Sequence, residues 1–316
     1  MADPIQRNNT YRLLQFVSRQ PLSVTRWLAK MLAGLLGILK NVKTAKTITT
    51  NLKIALPEIG EAERQAITKQ AMRNELTSYL EFFSIWGADQ ATNIKRVHQV
   101  HGEHLIHEAL AAKQGIVLVV PHFGTWEIMN AWIAQYTQMT IMYKPVKDPG
   151  ADAFVRQSRS REHANLVPTD ESGVRQIFKA LKQGGTTVIL PDHTPDLHGS
   201  EMVPYFGVPL YSSNLSAKLI QKTKAKALLL YAMRNDQHGF DMYIEAIDEA
   251  IYSSTPHQGT QIIHQALEGL IQRYPAHYHW SYKRFKAHPD LRGLYNLSDE
   301  DALKRVAQVR QARFSG

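Results

Sequence analysis

A chain of 316 residues holds one large α/β domain with an appendage, or two average domains. With 44% hydrophobic and 21% charged residues it is neither disordered, collagen-like nor a multi-span membrane chain. It has no cysteine, which excludes disulfides, thiolate zinc sites, iron–sulfur clusters and thiol nucleophiles. The net charge of +9 is unevenly spread. Residues 1–53 carry nine lysines and arginines against Asp3 alone, a net of +8, so the remaining body is close to neutral at +1. Such a basic arm calls for an anionic partner, either a lipid surface or nucleic acid.

Within the arm, residues 27–39 read WLAKMLAGLLGIL. As a helix this run is about 20 Å long, short of the roughly 30 Å hydrocarbon core of a bilayer. Widening it to 21–42 reaches a spanning length but takes in Arg26 and Lys30, whose side chains would have to snorkel. Large apolar residues recur at Trp27, Met31 and Leu35 and at Leu28, Leu32 and Leu36. Small ones recur at Ala29, Ala33 and Gly37, a spacing that lets helices pack closely. Lys30 and the lack of a clear cleavage site argue against a signal peptide, and basic residues at both ends leave orientation open. The arm shows no aromatic interleaving and no nucleic-acid module. Residues 1–45 are therefore expected to be a membrane anchor, touching lipid through Trp27, Leu28, Leu32, Leu35 and Leu36 and leaving nucleic acid out. The competing reading is a core helix with a basic solvent face.

Residues 46–316 are expected to form a single α/β domain, a mostly parallel central sheet flanked by helices behind the N-terminal anchoring helix. Apolar positions 67, 71, 76, 80 and 83 predict a helix over 61–87. Residues 105–112 continue as a helix that stops at Gly115, and 116–120 (IVLVV) have the pattern of a strand buried on both faces. A helix over 125–136 and a short strand over 139–143 follow. Val174, Ile177, Phe178 and Leu181 line a helix ending at Gly184-Gly185, before a strand at 186–190. Beyond it come a helix at 217–223, strands at 227–233 and 240–247, and a helix at 258–273. Alternation of this kind indicates an α/β sheet.

Three strands share one punctuation. Each apolar run stops at a proline with a polar residue beside it: Pro121-His122, Lys144-Pro145 and Pro191-Asp192-His193. Ligands of open α/β sheets bind outside the carboxyl ends of the strands, which would set His122, Lys144 and Asp192 along one rim. Plain strand termination gives the same pattern.

Residues 121–127 read PHFGTWE, so His122 and Glu127 stand five apart across a glycine-containing turn. A hydroxyl nucleophile needs a base that titrates near neutrality, and histidine fits. A carboxylate on its other ring nitrogen fixes the tautomer, and Thr125 is placed to cap the next helix, whose free amides would face an oxyanion. The spacing by itself is equally that of a loop histidine and a surface glutamate.

PHFGTWE resembles the His-x4-Asp/Glu motif of glycerolipid-type acyltransferases, in particular the lipid A biosynthesis acyltransferases, the late lauroyl/myristoyl enzymes of Gram-negative bacteria. Further segments are similar to that family in the same order. They are NLKIALPE (51–58), YKP (143–145) with VRQSRSR (155–161), ALKQGGTTVILPDHTP (180–195), VPYFGVPLYSS (203–213) and YHWSYKRFKAHP (278–289). The chain departs from the family pattern at Lys144, where arginine is usual, at His193, where glutamine is usual, and at Tyr205, where phenylalanine is usual.

The resemblance implies an enzyme that moves an acyl chain from acyl carrier protein to a hydroxyl of a lipid A precursor, on the cytoplasmic face of the bacterial inner membrane, without metal or cofactor. It implies His122 as base with Glu127 orienting it, and Arg159 holding a phosphate or developing charge. Asp192 would orient Arg159 or be structural, and Lys144 would make a weaker phosphate contact than arginine. No G-x-S-x-G elbow is present, in keeping with direct attack and no acyl-enzyme. His101, His104 and His107, three apart, suggest a shared helix face, but the chemistry requires no metal. The cluster Lys283-Arg284-Phe285-Lys286 is a solvated turn or a contact for an acidic carrier or lipid phosphates. Alternatives are an acyl hydrolase with the same base, transfer to another glycolipid or a lysophospholipid, and a non-catalytic peripheral lipid-binding protein.

Overall fold

The computed structural model describes residues 8–38, 43–197 and 199–312. The chain opens with five helices, α1 (Asn9–Ser18), α2 (Leu22–Ile38), α3 (Lys43–Ala55), α4 (Glu61–Gly87) and α5 (Gln90–Arg96). Then β1 (Val97–His101), α6 (His104–Ala111), β2 (Ile116–Val119), α7 (Met129–Ile133), β3 (Thr140–Met142), α8 (Pro149–Arg161), β4 (Asn165–Val167), α9 (Glu171–Lys182) and β5 (Thr186–Ile189) alternate. A hairpin of β6 (Ser200–Tyr205) and β7 (Val208–Ser213) leads to α10 (Leu215–Thr223), β8 (Lys226–Asn235), β9 (Gly239–Ala246), α11 (Pro256–Arg273) and α12 (Asp299–Ala312).

Local chemistry starts several of these helices. Asp148 accepts from the Ala151 amide ahead of Pro149 in α8, and Asp170 accepts from the Ser172 and Gly173 amides of α9. Thr255 and Gln258 close a capping box on α11.

The central sheet has the order β1-β9-β8-β2-β5. All its pairings are parallel except β8 with β9, a hairpin. A single parallel bridge from Met139 to Thr186 hooks the β3–β4 pair onto β5. Ile116, Leu118, Leu228 and Leu230 pack into one core, Val117, Val119, Ala227 and Leu229 into the other, so the sheet is buried on both faces as its run of branched residues predicts. Each such Val, Leu or Ile side chain contributes about 1.5–3 kcal/mol of burial.

Three sequence expectations are corrected. The segment before α6 is a strand, β1, on the sheet edge, where its polar side chains stay in water. His101 lies on it while His104 and His107 lie on α6, so the three histidines do not share a helix face. Residues 200–213, where the sequence reading places no element, form a two-stranded hairpin.

The third correction concerns Arg26 in the arm, read as snorkelling if the helix spanned a bilayer. Arg26 does not reach for water: it pairs with Glu81 at 2.7 Å, donates to the carbonyls of Asn235 and Gly239, and lies over the Phe240 ring. With the buried Thr25 and Ala29 it faces α4 and the sheet. The opposite side of α2 leaves Trp27 58%, Met31 51%, Leu28 43% and Leu32 43% exposed. The side chains of Leu35 and Leu36 lie outside the described residues. Among the described residues no helix is long and apolar enough to cross a membrane.

Candidate active site

β2 and β5 run side by side with Ile116 opposite Thr186 and Val119 opposite Ile189. Carried three residues past the strand ends, that register sets Pro121 beside Pro191 and His122 beside Asp192. The side chains meet. His122 Nδ1 lies 2.8 Å from Asp192 Oδ1, and the His122 amide donates to Oδ2 at 2.9 Å. Burial by itself raises the Asp192 carboxyl, but the charge and hydrogen bonds of His122, with His193 adding to them, hold it well below the usual carboxylate range. An ionised carboxylate at Nδ1 places the proton there and leaves Nε2 as the acceptor of the neutral ring.

The loop that carries His122 is held from two sides. Residues 122–124 pair with the segment after α11: the Gly124 amide donates to the His277 carbonyl at 2.8 Å and the His279 amide to the His122 carbonyl at 3.0 Å. Gly124 has φ +54 and bridges β8 at Ala232, whose carbonyl a Cβ would meet at 2.0 Å, so only glycine fits there. Asn51 fixes the pairing segment by donating to the carbonyls of Trp280 and Tyr282 at 2.7 and 2.9 Å. That explains why segments 51–58, 121–127 and 278–289, far apart in sequence, belong to one site.

Glu127 lies elsewhere than expected. The carboxylate on the ring nitrogen of His122 is that of Asp192, because the turn after His122 swings Glu127 toward α4 and α8. There Arg159 donates to both its oxygens at 2.7 and 2.8 Å, and Trp86 Nε1 and Asn130 Nδ2 donate as well. Arg159 also faces Glu162 at 3.5 Å and is buried, so its guanidinium is already occupied by carboxylates. Burial opposes its charge, but Glu127 and Glu162 outweigh burial and raise its pKa. Glu162 is pushed up to about 7, first by burial and against the pull of Arg159. Asp192 does not touch Arg159.

Thr125 makes no cap. It donates to Glu81 at 2.7 Å and meets Ser78, and the helical segment that follows is one 3-10 turn leading into α7. Lys144 is exposed at the end of β3 and makes no hydrogen bond or ion pair among the described residues. Of the C-terminal basic cluster, Arg284 and Phe285 are buried, Arg284 donating to the Tyr211 carbonyl and Ser212 Oγ, while Lys283 and Lys286 stay exposed.

Beside the base stands an aromatic wall. Trp126 lies 6.0 Å from the His122 ring, Phe82 lies 5.6 Å from Trp126, and Tyr79 and Trp86 flank Phe82. The arrangement offers an imidazole nitrogen with no hydrogen bond among the described residues, next to an apolar surface, which suits proton abstraction from a hydroxyl in the presence of a hydrocarbon chain.

The sequence profile for bacterial lipid A biosynthesis acyltransferases matches residues 11–287. The chain is 27% identical over 243 residues to the lipid A biosynthesis acyltransferase of Haemophilus influenzae, covering 76% of each. It is 24% identical over 250 residues to the lipid A biosynthesis lauroyltransferase of Escherichia coli, covering 78% of this chain and 81% of that one. With the Escherichia coli lipid A biosynthesis myristoyltransferase it shares 22% over 242 residues, 75% of this chain and 73% of that one. A profile that spans the aromatic wall, both members of the His122–Asp192 pair and the segment that latches their loop places the chain in the bacterial lipid A biosynthesis acyltransferase family.

Proposed function

We propose that the protein transfers a fatty acyl chain from acyl carrier protein to a hydroxyl of a lipid A precursor, with His122 as general base and Asp192 orienting it. His122 Nε2 takes the acceptor's proton as the hydroxyl oxygen attacks the thioester carbonyl. The tetrahedral oxyanion then collapses, the C–S bond breaks, and the departing thiolate takes the proton back from His122. The products are an ester and the free carrier thiol. Positioned proton transfer of this kind contributes about 10²–10⁴ in rate. The observation that carries the reading is the 2.8 Å contact of Asp192 Oδ1 with His122 Nδ1, which leaves Nε2 without a hydrogen bond among the described residues.

Glu127 and Arg159 serve as a buried brace between the catalytic turn, α4 and α8. Lys144, exposed at the next strand end, is a cation available for an acceptor phosphate. The outward apolar side of α2 supports attachment to the cytoplasmic face of the inner membrane, with the helix lying in the interface.

The test is mass spectrometry of a lipid A precursor after incubation with purified protein and acyl carrier protein donor. The acceptor gains one acyl chain with the wild type, and His122→Ala lowers turnover by at least about a thousandfold. Wild-type turnover by His122→Ala rejects the base. Fatty-acid release without acceptor, at the rate of transfer, points to a hydrolase.

A further inference from the structure

His193 stands directly against the base. Its ring stacks on His122 with centroids 3.7 Å apart and planes 2° from parallel, and its other face stacks on Tyr282 at 3.9 Å and 13°. Tyr282 is fastened in turn. Its hydroxyl accepts from the Thr194 amide at 2.9 Å, its carbonyl accepts from Asn51, and the Lys286 ammonium lies 5.2 Å from its ring. The result is a column of His122, His193, Tyr282 and Lys286, with both faces of His193 covered while its edge reaches solvent.

Face-to-face stacking of two neutral rings opposes their quadrupoles and is the poorer geometry for an aromatic pair. It becomes attractive when one ring is a cation. The His193 pKa is lowered to about 4, by the partial burial of its ring first, then by the charge of a protonated His122 and those of Arg284 and Lys286, against Asp192. In the proposed reaction His122 takes the acceptor's proton and becomes an imidazolium. We propose that His193 is a positioning residue that stabilises this imidazolium through its ring face and keeps the His122 plane aimed at the acceptor hydroxyl. The proposal rests on His122 being the base. It also gives a physical role to a position where the family usually has glutamine.

Because the stack acts on the charge that His122 gains as it takes the proton, it affects kcat and leaves KM nearly unchanged. A Phe side chain keeps a π face, whereas Leu keeps bulk without one. His193→Phe is expected to retain kcat within about threefold of wild type, and His193→Leu to lose about five- to tenfold with KM within twofold. His122→Ala is run alongside, and circular dichroism verifies that each variant is folded. Wild-type kcat for His193→Leu overturns the proposal, as does equal damage from Phe and Leu, which would mark a ring nitrogen or simple packing instead. If His122→Ala is itself active, it is the base assignment that fails, and the two failures are told apart in one experiment.

Discussion

A buried carboxylate must find its counter-charge, and Glu127 finds Arg159. Removing one partner of such a pair leaves the other charged and dry, at a cost of about 3–5 kcal/mol. Arg159→Met is therefore expected to lower the unfolding free energy by about that much, read from the urea midpoint. An unchanged midpoint would show that Arg159 is not a brace. The pair was not legible beforehand because its partners lie 32 positions apart on a turn and a helix whose approach is set by tertiary packing. The His122–Asp192 contact, by contrast, was within reach of the sequence. IVLVVPH and TTVILPD superpose at a constant offset of 70, proline on proline, which is the register of two neighbouring parallel strands. The punctuation was visible, but the strand adjacency that turns it into a contact was not. Glu127, nearer in sequence, is the natural but incorrect partner.

At the scale of elements, runs of branched apolar residues made β2, β5 and β8 legible, and the 3.6 period did so for α4 and α11. β1 escaped because VHQVH, on the edge of the sheet, buries little. β6 and β7 escaped because Pro204 and Pro209 face each other in their hairpin, and proline reads as loop in a sequence. Helix α2 was half legible. Its small and large stripes are plain in the sequence, but which one meets the body is decided by Arg26 reaching Glu81. The large stripe is left outside, and this gives a direct prediction. Replacing Trp27, Leu28, Met31 and Leu32 with Ser weakens binding to anionic lipid vesicles by about a hundredfold, since each exposed apolar side chain contributes to interfacial partition. Sedimentation with the vesicles measures it, and unchanged binding by the folded variant would assign that stripe another role.

For the whole molecule, buried histidines tie stability to pH. His264 is buried, with Nδ1 3.1 Å from the Pro204 carbonyl, and its pKa is lowered to about 3, by burial first and by Arg284 next. In the unfolded chain it titrates near ~6.5. The neutral form is the one the fold accepts, so its contribution is complete above about 6.5 and is lost as pH falls from there toward 3. Within that window the stability of the wild type should fall more steeply than that of His264→Phe, by a difference that approaches about 1.4 kcal/mol per pH unit toward pH 5. Denaturation series at pH 7, 6 and 5 read the difference, and parallel slopes would contradict it.

The pairing of His122 with Asp192 is the point on which the account turns, and its most direct measurement is the turnover of Asp192→Asn beside that of Glu127→Gln. Asn keeps the shape of Asp192 but not its charge, so it neither fixes the His122 tautomer nor balances the imidazolium. The kcat of Asp192→Asn is expected to fall at least about a thousandfold in a folded protein. Glu127→Gln is predicted to lose stability first, and to lose less turnover than Asp192→Asn while it remains folded. Near wild-type turnover by Asp192→Asn, with a folded Glu127→Gln inactive, would contradict it and return the orienting role to Glu127.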